Sequence, residues 1–373
     1  MKKAIVITLI GILIISSLVS CTKKENVIKI GIIAPLTGDA AVYGKALKDG
    51  MVLAKDIINE KKGIDGRQLQ LVFEDNQADP KIAISAYNKL TQIDKVTSII
   101  GCMFSSTTLA IAPLAQKDGI TLLSPTGSSE EIPAIGNFIF SIYPSDSYDG
   151  KFIAEYLLKQ DQIKSIAILS TQADAMINVK SAFEDEIKSR GKKIVFQEIY
   201  SPKTENYKTI LTKLNNSKPD IIFVSSYIEE LAKILKQDNE LGFDHKFITI
   251  STAYDRKLIS LASNSAEGLI FSAPIYNENS SVEYIENFQE IFKTKYGDKP
   301  NIWAAYGYDA INIICEAYKI SMNNNTKLNE ELVKIQNFKA TTGETSFLDN
   351  GSVSKEMQIY IIKDMNFTEL KNK

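Results

Sequence analysis

Four consecutive hydroxyl residues, Ser105, Ser106, Thr107 and Thr108, stand between an apolar run and a small-residue helical pattern in TSIIGCMFSSTTLAIAPLA, residues 97–115. A helix start leaves its first N–H groups without internal partners and carries partial positive charge, so hydroxyls gathered there can receive an anion. Serine and threonine are also the ordinary residues at which helices begin, and an N-cap is the plainer reading of this stretch alone. A second group follows in ITLLSPTGSSEEIP, residues 120–133, where Thr126, Ser128 and Ser129 come directly after the next apolar run. Two neighbouring strand ends, each opening into hydroxyls and backbone N–H groups, make a better anion receptor than either alone. The first loop, PLTGDAAVYGKAL (35–47), brings Tyr43 to the same sheet edge. Its Gly38 and Gly44-Lys45 imitate a phosphate loop, but the spacing is one residue too long. Ala46 stands where a magnesium-holding Ser or Thr is needed, so a nucleotide site is excluded.

Catalytic patterns are missing from the chain. Its single histidine, His245, sits in the polar turn GFDHKF and reads as a surface residue. No Gly-x-Gly-x-x-Gly, His-Glu-x-x-His, Cys-x-x-Cys or Gly-x-Ser-x-Gly is present. An enzyme built on α/β lobes with a cleft is the rival class, and this inventory argues against it: the reading is a binding protein with no cofactor and no metal.

The elements that must position these hydroxyls follow a βαβ rhythm. Strand-like VIKIGIIA (27–34) precedes a helix over 43–60, with Leu47, Met51, Ala54, Ile57 and Ile58 on one face. Strands at 69–74, 97–101 and 120–124 then alternate with helices at 80–94 and 106–117. After FIFSIYPSDSYDG the rhythm restarts, with helices at 148–160, 176–190, 205–215 and 229–241 and strands at 165–170, 193–200, 220–226 and 246–251. The expected fold is α/β, with two lobes of parallel sheet and short crossings near 141–146 and 272–276. Ligands of such sheets sit beyond the carboxyl ends of the strands, and two facing ends make a cleft.

The amino terminus reads as an export signal. MKKAIVITLIGILIISSLVSC carries Lys2 and Lys3, an apolar stretch and small residues before Cys21. Leu18-Val19-Ser20-Cys21 resembles a bacterial lipobox, in which the cysteine becomes an acylated mature N-terminus. An uncleaved membrane helix is the competing reading, but Ala4–Ser20 is at the short limit for a span and Ser16, Ser17 and Ser20 crowd its end. The expectation is an extracytoplasmic protein held by lipid at a membrane, at the cell surface or in the periplasm. Cleavage removes two lysines and no acid, leaving a mildly acidic mature chain of net charge −4. That balance, without a basic stripe, excludes nucleic acid as partner. Cys102 and Cys315 remain, too few for a disulfide framework, and read as buried free thiols.

The chain resembles the leucine/isoleucine/valine-binding proteins, type I solute-binding proteins of ABC importers. The stretches that carry the likeness are residues 28–90, IIGCMFSSTTLAIAPLAQKDGITLLSPTGSS (99–129), SAEGLIFSAP (265–274) and YGYDAINII (306–314). The resemblance implies a type I periplasmic-binding-protein fold, two Rossmann-like lobes with parallel sheets joined by three crossings. Residues 1–20 are the signal peptide and 21–26 the lipidated tether. Residues 27–145 and 275–345 form the N-terminal lobe, and 146–274 and 346–373 the C-terminal lobe. It implies an apolar or branched-chain amino acid as ligand, and ABC permease subunits as partners. Ser105 and Ser128 hold the carboxylate with Ser106 beside them, the Thr126 backbone helps hold the ammonium, and Tyr43 and Tyr227 line the pocket. Two departures lie in the second lobe: Ala175-Met176 replaces a usual Tyr-Gly, and Ser251-Thr252 replaces the acid that caps the ammonium. Asp174, Glu229 and Asp255 are the candidate substitutes, Asp174 first for its place in the facing loop. The alternatives are a ligand without an ammonium, such as an organic or aromatic carboxylate, and a tethered sensor rather than an importer component.

Overall fold

A computed structural model describes residues 27–276, 280 and 282–370; the signal segment, the tether and Cys21 lie outside the described residues. Val27–Ala34 (β1), Gln68–Asp75 (β2), Ser98–Ile100 (β3), Thr121–Ser124 (β4) and Ile139–Ser141 (β5) form one parallel sheet in the order β2-β1-β3-β4-β5. β3, β4 and β5 are buried at every residue, as a parallel sheet covered on both faces requires, which is why they read as unbroken apolar runs. Helices Ala41–Glu60 (α1), Pro80–Asn88 (α2), Ser105–Asp118 (α3) and Glu131–Ala134 (α4) connect these strands. The single helix expected over 80–94 divides, α2 running on into a π-helical turn at Lys89–Ile93.

The second lobe holds Asp146–Leu158 (α5), Ser165–Thr171 (β6), Asp174–Ser189 (α6), Lys193–Tyr200 (β7), Lys208–Asn216 (α7) and Ile221–Ser225 (β8). Ile228–Glu240 (α8), Phe247–Thr249 (β9), Arg256–Ala262 (α9) and Ile270–Pro274 (β10) complete its parallel part. The strand order β7-β6-β8-β9-β10 repeats that of the first lobe strand for strand, although no sequence repeat is visible. In each lobe the order reverses beside the first strand, so the loops leaving β1 and β3, and those leaving β6 and β8, diverge and open a crevice.

The chain then returns to the first lobe through Glu283–Tyr296 (α10), Ile302–Asn324 (α11) and Leu328–Leu332 (α12). α11 crosses α1 at two glycines: a Cβ on Gly50 would lie 1.9 Å from the Ala304 carbonyl oxygen, and one on Gly307 2.1 Å from that of Leu47. Only hydrogen fits between these backbones. A hairpin of Thr345–Phe347 (β11) and Val353–Lys355 (β12) still belongs here, since Phe347 and Val353 are buried with Ile28 and Phe140 in the first-lobe core. The chain enters the second sheet at Met357–Lys363 (β13), antiparallel to β10, with Asn366–Glu369 (β14) at the edge. The last crossing is therefore at Glu356, beyond the boundary expected at 346, because the hairpin covers Phe140 before the chain leaves.

Lys355 lies buried at this crossing, donating to Thr345 Oγ1 at 2.7 Å above the Tyr306 ring. Burial pushes its pKa down to about 8, opposed by the field of Asp309. Asp309, also buried, accepts from the N–H and hydroxyl groups of both Thr341 and Thr342. Cys102 and Cys315 are buried free thiols. His245 corrects the sequence reading: its side chain is nearly buried, one ring nitrogen against Asp238 Oδ1 at 2.7 Å and the other against Asn215 Oδ1 at 3.1 Å. It ties α8 to the end of α7. No helix among the described residues is long and apolar enough to cross a membrane, and no group of possible metal ligands occurs among them.

Candidate ligand cleft

The helix after β3 does not begin at a capping hydroxyl. Its N-cap is Phe104, which makes no side-chain cap bond, and Ser105 and Ser106 are its first two residues. The leading N–H groups of α3 thus lack the partner that an N-cap serine would have given them. Thr107 and Thr108 turn inward instead. Thr107 donates to the Phe104 carbonyl at 2.9 Å, and Thr108 sits against the Cys102 and Phe104 carbonyls at 3.0 and 2.9 Å. These two buried hydroxyls shape the loop and leave Ser105, half-buried, and Ser106, exposed, at the strand end.

The loop after β4 closes on the same point. The Ser105 hydroxyl oxygen accepts from the Ser129 N–H at 3.2 Å, and the Thr126 hydroxyl donates to the Met103 carbonyl at 2.6 Å. Thr126 therefore offers backbone rather than hydroxyl to anything bound here. Ser128 is half-buried, and its carbonyl accepts from the Asp146 N–H at 3.0 Å. Tyr43 comes from the first turn of α1 and packs edge-on against Trp303, ring centroids 5.7 Å apart. Gly44 beside it has a steric reason: a Cβ there would lie 1.9 Å from the Pro35 carbonyl oxygen.

Asp146, the first residue of α5, is the feature that the sequence reading missed. It is 7% exposed, and burial pushes its carboxyl up to about 7, with the Ser128 hydroxyl bonded to it drawing it down and Asp149 and Glu130 adding to the rise. Ser145 caps α5, accepting from the Tyr148 N–H at 3.2 Å, so the placement of Asp146 is fixed by a Ser-Asp helix start. That pattern stands plainly in PSDSYD, but it fell on the crossing and read as a connection.

The second lobe brings Tyr227 to the cleft as N-cap of α8, about half exposed. Burial raises its pKa, and the fields of Asp146, Glu230 and Asp174 raise it further. Asp174 itself is exposed at the start of α6. Glu229 is ion-paired with Lys257, and Asp255 caps α9 by accepting from the Lys257 N–H at 2.8 Å. Ser251 donates from both N–H and hydroxyl to Asp149 Oδ2 at 3.0 and 2.5 Å, while the Ser272 hydroxyl donates to the other carboxylate oxygen. The Thr252 hydroxyl donates to the Ser226 carbonyl at 3.1 Å. Ser251 and Thr252 thus hold the buried Asp149 and the loop around it. Tyr43 faces this lobe, near enough to the Lys257 ammonium for its field to be felt there.

Hydrogen-bond donors at two strand ends of the first lobe thus lie together, with the Asp146 carboxyl at the crossing bonded to one of them, Ser128. A family model described as periplasmic binding protein matches residues 27–366. The chain belongs to that family. A leucine-, isoleucine-, valine-, threonine- and alanine-binding protein of Pseudomonas aeruginosa is 23% identical over 360 residues, 96% of each chain. A Leu/Ile/Val-binding protein of Escherichia coli is 28% identical over 248 residues, 66% of this chain and 67% of its own. Among solved structures, the branched-chain amino acid transporter substrate binding protein of Streptococcus pneumoniae in complex with isoleucine superposes with a TM-score of 0.77 at 26% identity. That match covers 91% of this chain and 97% of the other. This periplasmic binding protein is of type I, a solute-binding component of ABC transporters and not an enzyme, and its family works outside the cytoplasm.

Proposed function

We propose that the protein captures an apolar amino acid, branched-chain in the first instance, between its two lobes and delivers it to an ABC permease. The observation that carries this reading is the Asp146 carboxyl bonded to the Ser128 hydroxyl, next in the chain to the Ser129 N–H that donates to Ser105. In it the ligand carboxylate lies on the uncapped start of α3 and the Ser105 and Ser128 hydroxyls. The ammonium lies against Asp146, which takes the place that the sequence reading gave to Asp174. An α-ammonium taken into a closed cleft requires such a partner, because an unpaired buried charge costs several kcal/mol. Tyr43 and Tyr227 supply apolar wall on either side. Cys21 is the acylated anchor that keeps the receptor beside its permease.

A thermal-shift panel tests it, because selective binding raises the melting temperature. The panel compares leucine, valine and phenylalanine with their 2-keto acids and with benzoate. Stabilisation by amino acids alone is expected. Stabilisation by keto acids or benzoate but by no amino acid would replace this reading with a receptor for non-amino carboxylates.

A further inference from the structure

The first turn of α5 is tied to both lobes at once. Asp146 meets the first lobe through Ser128, whose carbonyl accepts its N–H at 3.0 Å and whose hydroxyl bonds its carboxyl. Tyr148 donates its hydroxyl to the Lys355 carbonyl at 2.8 Å, beside the last crossing. Asp149, 5% exposed, turns to the second lobe, where Ser251 supplies two donors to Oδ2 and Ser272 one to Oδ1. Residues three apart on a helix are neighbours on one face, so Asp146 and Asp149 form a carboxyl pair at the crossing. Burial is the main reason that the Asp146 carboxyl stands high, and the field of Asp149 adds to it. Burial pushes Asp149 up as well, but its three donors oppose that rise. Of two carboxyls so placed, the one with more donors keeps its charge and the other feels it.

We propose that Asp149 is a positioning residue for ligand capture: anchored by Ser251 and Ser272, it fixes the first turn of α5 between the lobes and governs how much charge Asp146 presents to a ligand ammonium. The inference rests on Asp146 being the ammonium partner, as proposed above. Other groups face the pair from the elements around it. Glu130 faces Asp146 from the loop before α4, Tyr227 from the start of α8 and Tyr143 from the first crossing. Tyr143, Tyr148 and Tyr306 lie within the field of Asp149. Burial raises the pKa of all these tyrosines, so none of them titrates near neutral pH. The response near pH 7 therefore belongs to Asp146, and Asp149 decides where on the pH scale it falls.

The test is calorimetric titration of the full chain with leucine at pH 8 and pH 6, repeated with Asp149→Asn, Ser272→Ala and Asp146→Asn. Wild type is expected to bind about tenfold tighter at pH 8 than at pH 6. Asp149→Asn removes the neighbouring charge, so Asp146 ionises at lower pH and the ratio is expected to shrink to about two- to fourfold. Loss of a purely structural contact would weaken binding at both pH values and leave the ratio alone. Ser272→Ala weakens the hold on the Asp149 charge and is expected to shrink the ratio by less; it carries the test if Asp149→Asn does not fold. A tenfold ratio that Asp146→Asn abolishes but Asp149→Asn leaves unchanged would overturn this proposal alone, as would an unchanged ratio in Ser272→Ala where the other variant fails to fold. A wild-type ratio near one would remove Asp146 as ammonium partner and this proposal with it.

Discussion

Of four adjacent hydroxyls, only those at the strand end are free to meet a ligand. Thr107 and Thr108 are consumed by the loop, whereas Ser105 and Ser106 begin a helix that no side chain caps. A hydrogen bond to a charged group contributes roughly 1.5–3 kcal/mol, so Ser105→Ala or Ser128→Ala is expected to weaken amino-acid binding by about ten- to a hundredfold. The melting temperature of the free protein is expected to move little. Calorimetry showing wild-type affinity in both variants would reduce these hydroxyls to structural roles. Asp146 adds a pH dependence. Its carboxyl, raised to about 7, is increasingly ionised as pH rises through that value, while the ligand ammonium stays charged. Affinity is therefore expected to fall roughly tenfold per unit as pH drops below about 7, and Asp146→Asn to bind weakly with a flat profile. A steep profile retained in Asp146→Asn would place the titrating group elsewhere.

Legibility differs from element to element. The parallel strands announced themselves because burial on both faces leaves no polar alternation, as in β3 and β4. The start of α2 fell where expected, at residue 80, with Asp79 accepting from the Lys81 and Ile82 N–H groups ahead of Pro80. The hairpin β11–β12 was assigned across the crossing because its few residues carry no signal of which core they join; that depends on Phe347 meeting Phe140, a contact between distant parts of the chain. His245 misled in the same way, since its partners Asp238 and Asn215 come from other elements. Asp146 escaped because a helix-start aspartate has an ordinary local explanation, and only burial beside Ser128 distinguishes it. The α1–α11 crossing yields a prediction at this scale. Gly307→Ala puts a methyl group where the Leu47 carbonyl oxygen lies, and overpacking of this kind costs about 1–3 kcal/mol. Urea denaturation is expected to show a lowered midpoint with an unchanged slope, and an unchanged midpoint would mean that the two helices separate freely.

As a whole, the molecule is two copies of one doubly wound topology, joined at crossings beside which two buried aspartates are held by hydroxyl and N–H donors. Asp309 is held by Thr341 and Thr342, and Asp149 by Ser251 and Ser272. Such a frame leaves the strand-end crevices of both lobes on the side of the ligand cleft proposed above, the arrangement that hinge closure around a ligand would require. At this scale the anchor is testable too: Cys21→Ser is expected to move the protein from the membrane fraction or to leave an uncleaved precursor, and normal processing with unchanged fractionation would remove the lipoprotein reading. The central claim concerns the ligand's orientation between the lobes. A crystal structure of the chain with the amino acid that most raises its melting temperature tests it most directly. The expected result is one ligand in a closed cleft, its carboxylate on Ser105 and Ser128 and its ammonium within hydrogen-bond distance of Asp146. A ligand lying elsewhere, or one whose ammonium is held by Asp174 with Asp146 untouched, would contradict the account.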